Sequence, residues 1–178
     1  MKEHFERYIN RLYDNIPNEV FEWGLILFCV GTLGIILFLG WKRGWRKIVG
    51  LLLAEYVGLI YCSTVIFRTV KNGIGHNFRP FWSYEAINNG EKFLIAENIM
   101  NVVVFVPVGI LLGSLLRIKG SWMITLLVGL CVSLLIEAIQ YFLHRGFAET
   151  DDVMHNTLGC LMGYGLYRIM ALTLRCIK

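Results

Sequence analysis

The sequence contains little charge for its length. Of its 178 residues, 17% are Asp, Glu, Lys or Arg, whereas 56% are hydrophobic, and the mean hydropathy is +0.58. Soluble domains carry about 25% charged residues and about 45–50% apolar ones. The composition therefore excludes an ordinary soluble domain and predicts a protein whose outer surface is covered by lipid.

The chain also lacks the short motifs of several enzyme classes. It has no Gly-rich loop ending in Lys and Ser or Thr, so we expect no nucleotide-driven chemistry. The absence of GxSxG argues against a nucleophilic serine, and the absence of HExxH weakens a metal site. We expect no cofactor. The net charge of +4 does not indicate nucleic-acid binding, because the basic residues form short clusters beside apolar runs. The cysteines show no CxxC spacing and are interpreted as small apolar side chains: Cys29, Cys62, Cys131, Cys160 and Cys176.

Long apolar runs predict an all-α membrane helix bundle. A spanning helix needs about 20 residues, and aromatic and charged residues bound the runs as they do at membrane interfaces. The five predicted spans cover about 23–39, 48–67, 98–116, 122–143 and 153–174. Residues 2–16 carry apolar side chains at helical spacing, which predicts a short amphipathic helix on the membrane surface. We expect residues 1–178 to form a single membrane domain.

The basic residues predict the orientation of the bundle. Short connections that remain in the cytoplasm are rich in Lys and Arg, and residues 41–47, 117–119 and the tail from 175 fit this pattern. The amino terminus and the connections over 69–97 and 144–152 are then outside, and the carboxyl terminus is cytoplasmic.

Polar residues within the predicted spans gather at their outer ends. Such residues are costly in a membrane and are candidate functional groups. Helical spacing places Ser133, Glu137 and Gln140 on one face, and Asp152 and Asn156 on another. The same outer layer contains Arg68, Asn101 and Asp151. We expect these side chains to converge on a pocket that opens to the outside.

Two glycine pairs predict close helix packing. Gly109 with Gly113 and Gly159 with Gly163 have the spacing at which small residues let membrane helices approach each other.

Arginines on the predicted outer side favour an anionic ligand. Arg68, Arg79 and Arg145 carry guanidinium groups, which bind phosphate through two hydrogen bonds. A lipid with an anionic head group would match an apolar groove capped by these residues, although Arg79 by itself is equally interpreted as a solvated loop cation.

Other interpretations of the polar residues remain open. Glu137 or Asp152 would be the acid or base if the protein is an enzyme, since a carboxyl group in a low-dielectric site suits that role. The polar groups would otherwise only hydrogen-bond one another and hold the helices together. A metal site is the weakest alternative, because the histidines have no partner at a recognised ligand spacing; its candidate ligands are Glu137, His144, Asp151, Asp152 and His155, with Glu137, Asp152 and His155 foremost.

Four ordered motifs make the chain resemble the VanZ-like family. The residues that carry the resemblance are Asn77, Pro80 and Phe81; Asn101, Phe105, Pro107 and Gly109; Ser133, Ile136, Glu137 and Gln140; and Arg145, Asp152, Asn156 and Gly159. It covers about 68–165, and earlier residues match only in being membrane spans. The resemblance implies a multi-pass protein of the bacterial cytoplasmic membrane with a role in the cell envelope. The founding activity of that family is low-level resistance to the lipoglycopeptide teicoplanin.

The sequence and the resemblance together lead to one functional hypothesis. An outer-leaflet pocket recognises a lipid-linked envelope component, such as an undecaprenyl carrier or a peptidoglycan precursor. The predicted ligand-binding residues are Arg68, Asn77, Arg79, Asn101, Ser133, Glu137, Gln140, Arg145, Asp151, Asp152 and Asn156. The alternatives are a hydrolase or transferase on a lipid-linked substrate that uses Glu137 and Asp152, and a structural or partner-binding protein without a ligand. The expected partners are membrane lipids, no nucleic acid is expected, and protein partners are left open.

Overall fold

The computed structural model describes residues 31, 44–66, 68, 75–116 and 120–176. The predicted surface helix over 2–16 lies outside these residues, as does the first predicted span apart from residue 31. The described helices are α1 Trp45–Tyr61, which continues into a π-helical turn at Cys62–Ile66, α2 Trp82–Asn88, α3 Phe93–Leu116, α4 Ser121–Leu143 and α5 Thr150–Cys176. Two short strands, β1 His76–Asn77 and β2 Ala148–Glu149, pair in parallel.

Four of these helices are long and apolar enough to cross a membrane. The spanning segments are Trp45–Ile66, Phe93–Leu116, Ser121–Leu143 and Thr150–Leu174, and the mean hydropathy of their most apolar windows ranges from 1.2 to 2.4. The predicted all-α fold is therefore confirmed, and the protein is a multi-pass membrane protein. The helix α3 begins at Phe93, before the predicted start of that span at residue 98, because the polar residues Glu97 and Asn98 lie inside the helix.

Glycines bring α3 and α5 into close backbone contact, and these two helices share the largest interface between described helices. A Cβ atom on Gly159 would collide with the carbonyl oxygen of Val102, and one on Gly163 would collide with that of Val106. Gly109 faces the carbonyl oxygen of Cys160 in the same way. The predicted glycine spacing thus corresponds to an interface that has no room for a side chain at these positions.

Buried side chains from α1, α3, α4 and α5 form the core beside this interface. The central residues are Ile60, Val65, Phe105, Val108, Leu112, Ile136 and Cys160. The hydroxyl group of Tyr56 donates to the carbonyl oxygen of Val104 at 3.0 Å and joins α1 to α3. Many apolar side chains point outward instead, among them Leu135 and Ile169, which are 59% and 63% exposed. Lipid is the solvent that suits such a surface.

The stretch predicted as a polar connection over 69–97 contains ordered structure. Strand β1 pairs with β2 in the register His76 with Ala148 and Asn77 with Glu149. Phe81 adopts a left-handed conformation with φ of 63°, and α2 begins at the next residue. This arrangement places α2 and β1 against the start of α5, at what we call the polar end of the bundle, where Glu137, Glu149 and Asp152 also lie.

Candidate functional site

One face of α4 carries the predicted polar residues into the bundle. Ser133, Glu137 and Gln140 are all buried, as their helical spacing predicts. The Oε2 atom of Glu137 accepts a hydrogen bond from the backbone N–H of Glu149 at 2.8 Å. The last turns of α4 are thus held against strand β2 by a carboxyl group that is only 7% exposed.

Amide side chains connect α5 to its two neighbours. Nδ2 of Asn156 donates to the hydroxyl oxygen of Ser133 on α4 at 2.8 Å. Nδ2 of Asn101 on α3 donates to Oδ1 of Asp152 at 2.6 Å. The structure therefore brings these four predicted residues together, and their amide N–H groups are directed at protein atoms.

Asp151 attaches helix α2 to α5. Its carboxyl group is fully buried and accepts the backbone N–H of Phe81 at 2.6 Å, the backbone N–H of Ser83 at 2.9 Å and the hydroxyl of Ser83 at 2.6 Å. Nδ2 of Asn98 also donates to the Ser83 hydroxyl oxygen, at 3.1 Å. These contacts satisfy donors at the start of a helix, so Asp151 positions α2.

The three predicted arginines occupy different places. Nη2 of Arg79 donates to Glu85 at 2.8 Å, in an ion pair whose side chains are 70% and 56% exposed. The backbone N–H of Arg79 donates to Oδ1 of Asn77 at 3.1 Å, so Asn77 stabilises the turn that carries Arg79. Arg145 donates to the backbone carbonyl oxygen of Ile66.

Arg68 is the arginine whose charge interacts with the carboxyl groups of Glu137 and Asp152. It lies beside Gly146, where a Cβ atom would be 2.8 Å from Arg68 Nη1 and 3.4 Å from Gln140 Cδ. Gly146 also has a φ of 107°, which disfavours any other residue there. The structure thus gathers one of the three arginines at the carboxyl groups.

The two polar atoms of the Gln140 side chain have different environments. Its Nε2 atom donates to the carbonyl oxygen of Thr64 at 2.9 Å, which holds α4 to the π-helical turn. Its Oε1 atom is buried and has no hydrogen-bond partner among the described residues. A donor from water or a ligand would satisfy this oxygen.

A groove of about 310 Å³ opens on the lipid-facing side of the polar end. Apolar side chains form most of its wall, including Leu134 and Phe142, which are 50% and 73% exposed. The lining residues are Phe78, Leu134, Glu137, Ala138, Tyr141, Phe142, Glu149, Thr150 and Val153. The surface of the groove is mostly apolar, and three residues with polar side chains, Glu137, Glu149 and Thr150, belong to its lining.

Glu149 also lines this groove, although the sequence patterns did not predict it as a site residue. Its Oε2 atom accepts a hydrogen bond from Nε1 of Trp82 at 2.9 Å. Burial, reinforced by the nearby carboxyl groups of Asp152, Glu97 and Glu137, raises the pKa of Glu149 from 4.5 to about 9. Glu149 therefore carries a proton at neutral pH and can donate a hydrogen bond as well as accept one.

This protonation predicts a pH-dependent stability. The folded protein retains a proton on Glu149 that the unfolded chain loses once the pH exceeds 4.5, so stability falls as the pH rises from 4.5 to about 9. In Glu149→Gln the side chain does not titrate but can still accept the Trp82 hydrogen bond. We expect its melting temperature to exceed that of the wild type by a few degrees at about pH 8, with a difference that vanishes near pH 4.5.

The measurement is thermal unfolding in detergent across that pH range. The exposed carboxyl of Glu91 provides the control, because Glu91→Gln removes one acid from the surface instead of the groove. Parallel curves for the wild type and Glu149→Gln would contradict the raised pKa.

The weak metal hypothesis finds no support in the arrangement of ligands. Among the residues that the structure describes, no group of three or more His, Cys, Asp and Glu side chains could hold a metal ion. His155 instead shares a hydrogen bond of 2.8 Å with the hydroxyl group of Tyr84. His144 ends α4 in a left-handed conformation with φ of 56°.

Glu149, Ser83 and Trp82 share a reason for having been missed. They lie in or next to a two-residue strand and a seven-residue helix, which are too short to show a hydrophobic period. Glu149 directly precedes Thr150, Asp151 and Asp152, so including it in this polar run would have identified it.

Comparison with known protein families identifies the family of this chain. The profile of the VanZ/LLP1 family matches residues 55–171, which is well over half of the chain. The match contains the region of about 68–165 that carries the motif resemblance, and it extends further at both ends. No curated protein and no solved structure matches the chain.

Proposed function

Since the chain belongs to the VanZ/LLP1 family, we propose that it binds a lipid-linked component of the bacterial cell envelope in the groove beside α4 and α5. The ligand class is an undecaprenyl carrier or a peptidoglycan precursor. The hydrocarbon chain would lie along the exposed apolar side chains, and the head group would occupy the end lined by Glu137 and Glu149.

The groove is the observation that carries this proposal. It is reached from the side of the bundle, since Leu134, Ala138 and Phe142 are exposed where lipid covers the helices. An amphiphile could therefore enter without leaving the bilayer. Glu137 and Glu149 belong to the same lining, and we assign their carboxyl groups the polar contacts with the head group.

The predicted polar residues contribute in two ways. Asn101, Gln140 and Asn156 direct their amide N–H groups to protein atoms, so we assign them the positioning of Asp152, α1 and α5. Arg68 is assigned the role of balancing the charge of the buried carboxyl groups.

The location of the protein follows from the same proposal. By family resemblance we place it in the bacterial cytoplasmic membrane. On the basis of the loop charges we place the amino terminus and the groove on the outer side and the carboxyl terminus in the cytoplasm. By family resemblance, ligand binding at this groove would lower susceptibility to teicoplanin-type lipoglycopeptides.

Filling the groove tests the proposal. Ala138 is exposed and lines the groove, so Ala138→Trp should obstruct it without disturbing the core. We expect the affinity for undecaprenyl phosphate or its pyrophosphate-linked precursors to fall at least about tenfold, as measured by thermal shift or direct titration of the purified protein. The matched control is Leu127→Trp, at another exposed position of α4 that does not line the groove.

The possible outcomes separate the alternatives. Equal affinity in the wild type and both variants would remove the groove from the ligand's path. Chemical change of the recovered lipid, lost in Glu137→Gln, would favour the hydrolase or transferase. Absence of saturable binding in the folded wild type would favour a structural or partner-binding role.

A further inference from the structure

The polar part of the groove has a distinctive chemistry. Its lining includes Glu137, Glu149 and the hydroxyl-bearing Thr150, and no Lys or Arg is among the nine described residues that line it. Phosphate recognition usually relies on cationic side chains or clustered N–H donors. A carboxyl group, whether ionised or protonated, offers a phosphate no positive charge.

From this lining, we infer that the head group bound in the groove is a sugar, so that the ligand is a lipid-linked saccharide. The inference rests on the proposed function and names the class of its ligand. A sugar presents hydroxyl groups that both donate and accept hydrogen bonds, and it brings no charge next to the carboxyl groups.

Each carboxyl group has one oxygen directed at the protein. Oε2 of Glu137 accepts from the backbone N–H of Glu149, and Oε2 of Glu149 accepts from Trp82. These contacts hold both side chains in place, and among the described residues neither Oε1 atom has a hydrogen-bond partner, which leaves both for a ligand. Two neighbouring carboxyl oxygens on fixed side chains suit the adjacent hydroxyl groups of a sugar ring.

The protonation of Glu149 adds a donor to this pair. Burial raises the pKa of Glu149 to about 9, so its carboxyl group is neutral at physiological pH. A hydroxyl group of the sugar can then accept from Glu149 while another donates to Glu137.

Aromatic side chains form the adjoining wall. The ring centroids of Phe78 and Tyr141 are 5.7 Å apart, and those of Tyr141 and Phe142 are 5.5 Å apart. All three residues line the groove. Aromatic faces carry partial negative charge and attract the weakly positive C–H groups that cover the flat side of a sugar ring.

The volume also suits a small head group. The groove measures about 310 Å³, at the lower end of the range of about 300–1,000 Å³ that small-molecule sites occupy. It is open toward the lipid-exposed residues, so the hydrocarbon chain need not fit inside.

The test compares lipids that differ only in the sugar. One pair is undecaprenyl pyrophosphate with and without N-acetylglucosamine, and the other is glucosyl diacylglycerol with diacylglycerol. The full chain is studied in nanodiscs, because glycoside detergents would compete for the site. We expect the sugar-bearing member of each pair to bind at least about tenfold more tightly.

Two variants locate the preference in the groove. Glu137→Gln keeps an acceptor for the backbone N–H of Glu149 but replaces the second carboxyl oxygen by an amide nitrogen, and we expect it to remove most of the preference for sugar. Tyr141→Leu keeps apolar volume and loses the ring, and it serves the same purpose if Glu137→Gln fails to fold. Leu127→Trp is the control and should retain the wild-type preference.

Each result is decisive. Equal binding within both pairs overturns the sugar inference and leaves the proposed lipid binding intact. Tighter binding of the sugar-free pyrophosphate also overturns the inference and would favour recognition through Arg68. If the folded wild type binds none of the lipids, the proposed function fails and the inference fails with it. A sugar preference that persists in both groove variants contradicts the assignment to this groove.

Discussion

Replacement of Gly159 by valine is expected to leave little folded protein. A Cβ atom at this position would collide with the carbonyl oxygen of Val102 and lie 3.0 Å from Cβ of Phe105. Backbone atoms cannot move aside as a flexible side chain can, so α3 and α5 would have to separate. We expect a loss of stability of about 3 kcal/mol or more, because their interface is the largest between described helices.

The control for Gly159→Val is Gly165, which lies further along the same helix. A Cβ atom on Gly165 would meet nothing within 4 Å, and alanine favours the helix more than glycine does, so Gly165→Ala should unfold at or slightly above the wild-type temperature. The measurements are the yield of monodisperse protein and its melting temperature in detergent. Normal stability of Gly159→Val would contradict the close approach of the two backbones.

Replacement of Asp151 by alanine is expected to release helix α2. The carboxyl group is 1% exposed and accepts three hydrogen bonds, two from backbone N–H groups and one from the Ser83 hydroxyl. Each buried donor left without a partner costs about 1–3 kcal/mol, so we expect a total loss of about 3–5 kcal/mol. Amide hydrogen exchange should increase over Trp82–Asn88 more than over the core of α4.

The exposed ion pair beside this site provides a control. Glu85→Gln breaks the contact with Arg79 at the surface and should cost less than about 1 kcal/mol. Asp151 was predicted as a ligand-binding residue, and the experiment distinguishes that role. Reduced lipid binding by an Asp151→Ala protein of normal stability and exchange would show that Asp151 contacts the ligand instead of positioning α2.

These two variants separate the scaffold from the site. Gly159 permits the close contact between α3 and α5. Asp151 holds α2 in place, and Trp82 of α2 donates the hydrogen bond that holds Glu149 at the groove. We therefore expect partial destabilisation at Asp151 to affect ligand binding indirectly, through Glu149. Ala138→Trp obstructs the groove directly and should leave both contacts intact.

Much of the bundle could be predicted because membrane helices have strong local signals. Apolar runs of about 20 residues identified the spanning segments, and a period of 3.6 residues placed Ser133, Glu137 and Gln140 on one buried face. Start positions were less accurate. Polar residues such as Asn98 at the end of an apolar run can belong either to a connection or to the helix.

The short elements at the polar end could not be predicted in the same way. Strands β1 and β2 have two residues each and pair across more than 70 positions of the sequence. A pairing of this length leaves no periodic pattern. The location of Glu149 in the groove depends on that pairing and on Trp82, so it followed from neither the spacing nor the composition.

The sequence by itself determined the all-α membrane fold, the glycine contact, the gathering of polar groups at one end and the family. Each of these depends on residue type or on spacing within one helix, which the order of amino acids states directly. Only the tertiary structure decided which partner each polar group has. It directed the amides of Asn101 and Asn156 to protein atoms, Arg79 to Glu85, and Glu149 to the groove. Hydrogen-bond partners depend on the rotation and depth of each helix relative to its neighbours, and packing across the bundle sets those quantities.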